Sequence, residues 1–179
     1  MKVFIASGSN EKIEKNYLEE TKKVCNILCN LDYSLVFGTY SKGMMGECYK
    51  TFKENDKDIL GVTIDAYHED LINFKDIRVI ETNSSFKRLE YIYNESDIFL
   101  FLPGGTGSLG ELFGLMEEAK TNASNKKIVI YNYRGFYNEL FDYLKILSKR
   151  GFAYEKELDK LIIVKTINDL EGVFKNERN

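Results

Sequence analysis

The chain has 179 residues, a net charge of −3, a single proline, 44% apolar and 30% charged residues. That composition excludes disordered, collagen-like and low-complexity classes, and the acidic balance argues against nucleic acid as the primary partner, because phosphate backbones select basic faces. By size scaling, such a chain forms one domain, 1–179, and buries about 70% of its surface without needing staples.

In chain order, Val3 to Ala6 reads as a strand that runs straight into Gly8 and Asn10, without the shape of a signal peptide. Asn10 is placed as the N-cap of a helix with Ile13, Tyr17, Thr21, Val24, Cys25 and Leu28 on one face. Strands follow at Tyr33 to Phe37, Ile59 to Ile64, Ile77 to Ile80, Ile98 to Leu102, Ile128 to Tyr131 and Leu161 to Val164. Helical patterns lie between them at Met44 to Glu54, Ser84 to Glu95, Leu109 to Lys120 and Phe136 to Arg150. Thr166 or Asn168 opens a terminal helix. Several strands are apolar at consecutive positions, as in a parallel sheet covered on both faces. The alternation predicts an α/β fold with a doubly wound parallel sheet flanked by helices, and ligands at the carboxyl ends of its strands.

Cys25, Cys29 and Cys48 have no metal-ligand spacing and predict neither disulfides nor a metal site, which suits a reducing cytoplasm. The one histidine, His68, lies in a polar stretch and argues against zinc and against a His-based triad. No apolar run approaches the length of a membrane span.

The densest chemical signal is Pro103-Gly104-Gly105-Thr106-Gly107-Ser108-Leu109-Gly110-Glu111, between a strand and a helix. Glycines there let backbone N–H groups approach an anion at a helix N-terminus. Gly105 to Gly110 matches G-x-G-x-x-G, but the next strand ends in Tyr131-Asn132 without the acidic residue that a dinucleotide ribose needs. Ser108 lacks the glycine of a nucleophile elbow at position 106, and no lysine follows to make a Walker A loop. Gly38 to Gly46 and Ser7 to Asn10 are two more small-residue loops after strands. Together the three loops suggest one phosphate-bearing ligand, held by Gly8 and Ser9, by Gly43 and Met45, and by Gly104, Gly105, Thr106, Gly107 and Ser108.

These motifs resemble those of the Lonely Guy (LOG) family, nucleoside 5′-monophosphate phosphoribohydrolases that activate cytokinins and whose bacterial members carried the label lysine decarboxylase. Pro103 to Glu111 is similar to the family's P-G-G-x-G-T-x-x-E, with Ser108 where threonine is usual. Gly38 to Gly46 resembles G-G-G-x-x-G-L-M-G, with Thr39 and Tyr40 replacing glycines and Met44 replacing Leu. Ser85 to Leu89 keeps only the arginine of M-x-x-R-K, and Gly135-Phe136-Tyr137-Asn138 and Gly151-Phe152 resemble the C-terminal pattern. The resemblance implies a Rossmann-like fold, a homodimer, no cofactor or metal, and catalytic roles for Arg88 and Glu111 in cleaving an N-glycosidic bond. It also implies that Ser85 and Leu89 shift base preference away from adenine.

From the residues alone, Glu111 is equally a capping-box partner of Ser108, and Arg88 a solvated helix residue whose removal costs little stability. Glu69 or Asp70 is a candidate to reach the base, and Tyr131 and Tyr133 are candidates to pack on it. The expected function is hydrolysis of a nucleoside 5′-monophosphate to free base and ribose 5-phosphate. The alternative is a non-catalytic nucleotide-binding or sensing module of the same fold.

Overall fold

The computed structural model describes residues 1–121, 125–154 and 158–178. Seven parallel strands form one sheet in the order β4-β3-β2-β1-β5-β6-β7. They are β1 (Lys2–Ala6), β2 (Ser34–Phe37), β3 (Ile59–Ile64), β4 (Arg78–Thr82), β5 (Ile98–Phe101), β6 (Lys127–Tyr131) and β7 (Leu161–Val164). Six α-helices flank it among the described residues: α1 (Lys15–Asn30), α2 (Gly43–Glu54), α3 (Ser85–Glu95), α4 (Thr106–Thr121), α5 (Asn138–Lys149) and α6 (Ile167–Arg178). None of them is long and apolar enough to cross a membrane.

The pleat sends alternate residues of each strand to opposite layers. Val3 and Ile5 join Val24, Cys25 and Leu28 of α1, Cys48 and Phe52 of α2, and Leu170 and Phe174 of α6. Phe4 and Ala6 join Ile92 of α3, Leu112 and Leu115 of α4, and Tyr137 just before α5. With both faces covered, the middle strands hold apolar residues at consecutive positions, which is the pattern the sequence displays. The order of connection reverses between β1 and β5, so a crevice opens at their carboxyl ends.

Two helix starts differ from the sequence reading, and one segment takes a form it did not assign. The first helix begins at Lys15, with Glu14 at its N-cap and no side-chain cap. Asn10 instead turns the preceding loop: its side-chain oxygen accepts the Lys12 N–H at 2.8 Å and its carbonyl the Ile13 N–H at 3.3 Å. The helix after the glycine loop begins at Thr106, three residues before Leu109, because its glycines are accommodated inside the first turns. The polar stretch after β3 is a run of 3₁₀ turns over Asp65–Phe74, kinked at Tyr67. At the other end, Thr166 closes a reciprocal cap on α6, its Oγ1 accepting the Asp169 N–H at 3.2 Å.

Burial pushes the Cys25 thiol well up and that of Cys29 up to about 11. All three cysteines are buried. Since the thiolate is the nucleophile, native protein at pH 8 should resist iodoacetamide at every thiol and take up three equivalents once unfolded. Rapid alkylation of the native chain, counted by mass spectrometry, would contradict this packing.

Candidate active site

The crevice holds a cavity of about 600 Å³. Its wall contains Gly8, Ser9, Met45, Gly104, Gly105, Thr106, Gly107, Ser108 and Glu111, so most of the residues singled out in the sequence meet there. Gly8 joins the loops: its N–H donates to the Pro103 carbonyl at 2.9 Å, and its own carbonyl accepts the Met45 N–H at 3.2 Å. Gly43 stands behind the wall rather than in it. Its φ is +60°, and a Cβ there would lie 2.7 Å from the Ser9 carbonyl carbon. Only glycine combines that conformation with that approach.

The glycine turn opens α4 at the cavity wall. A Cβ on Gly104 would meet the Ser108 hydroxyl at 2.3 Å, whereas nothing lies within 4 Å of such an atom on Gly105 or Gly107. The turn is therefore tight on one side and open on the other. The first N–H groups of α4 have no partners within the helix, and its dipole favours negative charge. Ser108 is inside the first turn, its hydroxyl donating to the Ser7 carbonyl at 3.4 Å.

Arg88 and Glu111 form an ion pair across α3 and α4. Arg88 Nη1 donates to Glu111 Oε1 at 2.7 Å and Arg88 Nε to the Val62 carbonyl at 2.9 Å. Their side chains are 17% and 14% exposed. Two of the residue-only readings are thereby corrected. Glu111 does not close a capping box with Ser108, because that serine is already helical and the carboxylate is turned to the arginine. Arg88 is not a solvated helix residue. Phe86, two residues earlier on α3, is the solvated one, 84% exposed. Arg88 reaches the site behind Glu111 and is not itself in the cavity wall. Nη2 approaches Gly38 so closely that a Cβ there would be 2.6 Å away.

Where the family resemblance places glycine, Thr39 has φ +55° and is 2% exposed, with no hydrogen bond to its hydroxyl. A β-branched residue in that region costs about 1–3 kcal/mol. Its methyl group fills the space above Gly61, where a Cβ would be 2.4 Å away. Leu89 packs against α4 at Gly114, where a Cβ would lie 2.3 Å from Leu89 Cδ2. Neither Leu89 nor the exposed Ser85 is in the cavity wall. The side chains of Glu69 and Asp70 lie outside the described residues.

Tyr131 is a core residue, 2% exposed, donating to Glu20 Oε1 at 2.5 Å. Burial, and then that bond, pushes its phenol far up. Tyr137 is likewise pushed far up by burial, against a smaller pull from a hydrogen bond with the Gly104 backbone. Its hydroxyl donates to the Leu102 carbonyl at 2.7 Å and so supports the glycine turn from below. The sequence reading missed Lys12, Ile13, Tyr17, Met44 and Phe136 as wall residues. Tyr17 and Phe136 meet edge to face at 6.2 Å. The signal for Phe136 was Gly135 before it, at φ +72° in the turn after β6.

The fold and crevice define a doubly wound α/β protein with a glycine turn at a helix N-terminus where its strand order reverses. A family described as "Possible lysine decarboxylase" matches residues 45–174, and the chain belongs to it, the LOG family. The Arabidopsis thaliana cytokinin riboside 5′-monophosphate phosphoribohydrolase LOG7 is 27% identical over 172 residues, 96% of this chain and 77% of its own. LOG3 of the same plant, of the same description, is 21% identical over 170 residues, 94% of this chain and 79% of its own. Among solved structures, the molybdenum cofactor carrier protein of Chlamydomonas reinhardtii superposes with a TM-score of 0.68 at 16% identity, covering 98% of this chain and 96% of that one. The molybdenum cofactor binding protein of Rippkaea orientalis gives 0.68 at 16% identity, covering 99% and 97%. At these identities the two structures share the fold.

Removing one member of a mostly buried ion pair strands the other. Arg88→Ala should therefore lower stability by about 1–3 kcal/mol, with Arg88→Lys recovering part of the loss. Urea midpoints measure this, and an Arg88→Ala midpoint equal to that of the wild type would show that the pair contributes nothing to folding.

Proposed function

We propose that the protein hydrolyses the N-glycosidic bond of nucleoside 5′-monophosphates, giving free base and ribose 5-phosphate, with AMP and cytokinin riboside 5′-monophosphates in its substrate class. The observation that carries this reading is the Glu111 carboxylate, held through Oε1 by Arg88 in the wall of a cavity built on a glycine turn at a helix N-terminus. The family and its phosphoribohydrolase relatives support the same chemistry.

Breaking the bond between C1′ and the base nitrogen leaves the electron pair on the base and positive charge on the ribose. Glu111 Oε2 has no hydrogen bond among the described residues and is the group to face that charge and to orient the attacking water. Water adds its oxygen to C1′, and the proton it loses ends on the departing base. Arg88 stays protonated and fixes the carboxylate. The phosphate, bound at the turn some way from the reacting carbon, lends its binding energy to placing the ribose. Water is the only co-reactant in this scheme, which calls on no cofactor.

We also propose that the protein acts as a cytoplasmic homodimer. Phe86 on α3 and Phe113 on α4, 84% and 43% exposed, are large apolar side chains left open on one helical layer, as association surfaces are, and buried free cysteines suit a reducing compartment. Sedimentation at micromolar concentration should give twice the 20.8 kDa of one chain. A single-chain mass would overturn the dimer.

Wild-type protein mixed with a panel of nucleoside monophosphates should release free base, and AMP should raise the melting temperature where adenosine does not. Glu111→Gln should lose about 100-fold or more of that turnover and still bind AMP. Binding of monophosphates with no base released from any of them would make the protein a sensing module.

A further inference from the structure

Resting on the reading of the cavity as a monophosphate site, the charge in its wall points to a residue that no motif marked. The charged side chains lining the cavity are Lys12, Glu14 and Glu111. Two are carboxylates, which repel a phosphate dianion. The nearby Arg88 is turned to Glu111 and does not line the cavity. Lys12 thus brings the positive side-chain charge to this wall, and it has no ion pair among the described residues. Its neighbour Glu11 is taken by Lys42, which reaches across from the Gly38 to Gly46 loop.

The backbone that carries Lys12 is fixed. Its N–H is held by Asn10 Oδ1, and Gly43 lies directly behind Ser9 and Asn10. The turn that delays the start of α1 to Lys15 is thus the turn that brings Lys12 to the cavity. A second observation points to a ligand at the same wall. Ser7 lines the cavity at 3% exposure, and its buried hydroxyl makes no hydrogen bond. Buried hydroxyls are ordinarily paired, and an oxygen-rich anion beside the open N-terminus of α4 would pair this one.

We propose that Lys12 is a specificity-determining residue that supplies the charge partner of the substrate phosphate, and so makes the site choose monophosphates over nucleosides. Isothermal titration of the full-length protein with AMP, ribose 5-phosphate and adenosine tests this. Lys12 is on an exposed loop, so its variants should fold, and melting curves check that they do. Lys12→Ala should weaken AMP and ribose 5-phosphate about tenfold while leaving adenosine, already weak, where it was. Lys12→Arg should retain most of the affinity and Lys12→Glu should lose more than Lys12→Ala. The fall of AMP affinity with added KCl should be shallower in Lys12→Ala than in the wild type.

Equal AMP affinity in the wild type and Lys12→Ala would overturn the role of Lys12, whatever the turnover assay gives. Phosphate-dependent binding that is lost with Lys12, in a protein that releases no base, would uphold Lys12 and reject the hydrolase. A wild type that binds none of the three would reject both.

Discussion

The site depends on two backbone hydrogen bonds made at one residue. Gly8 accepts the Met45 N–H on one side and donates to the Pro103 carbonyl on the other, so the loops after β1, β2 and β5 are joined through a single peptide neighbourhood. The loops come from strands adjacent in the sheet but far apart in sequence. Strand pairing brings their ends to the same level, and the Gly8 bonds hold them together. Gly43 and Gly104 extend the same constraint, since a methyl group on either would strike a neighbouring loop or the first turn of α4. The glycines serve approach between chain segments as much as approach to a ligand.

The parallel order of the sheet then divides the labour. All seven carboxyl ends point one way, so the loops that bind and the helices that begin there share one rim. Helix α4 starts at the glycine turn and presents Glu111 from its second turn. Helix α3, on the same face of the sheet, presents Arg88 to it. The ion pair is therefore a link between two helices that share one core layer on the same face of the sheet, and its geometry is inherited from the core beneath.

The strands were legible because a doubly covered sheet writes continuous apolar runs into the chain, and all seven are where such runs lie, within a few residues at the ends. Helix starts were less so. Asn10 has the chemistry of an N-cap and uses it to make a loop turn, and glycines that read as loop are the first turns of α4. The glycine turn in the cavity wall was visible from composition and position together. Arg88 and Glu111 were singled out by family resemblance, because their pairing spans 23 residues and two helices and leaves no local periodicity. Local rules gave the wrong partner for the carboxylate and solvent for the guanidinium. Lys12, Tyr17 and Phe136 escaped notice since each belongs to an ordinary-looking segment, and only the closing of the crevice puts them on one wall.

The contact of Leu89 with Gly114 gives the Arg88–Glu111 pair a caliper. Between α3 and α4 the leucine methyl sits where any other residue at 114 would put its Cβ. The helices carry Arg88 one residue before that leucine and Glu111 three residues before that glycine. The gap between guanidinium and carboxylate is thus gauged by an apolar contact facing away from the cavity. A lineage that widened this seam by a single carbon would lengthen a bond of 2.7 Å without altering any residue that meets a ligand. Selection on the chemistry would be felt at a position with no chemistry of its own.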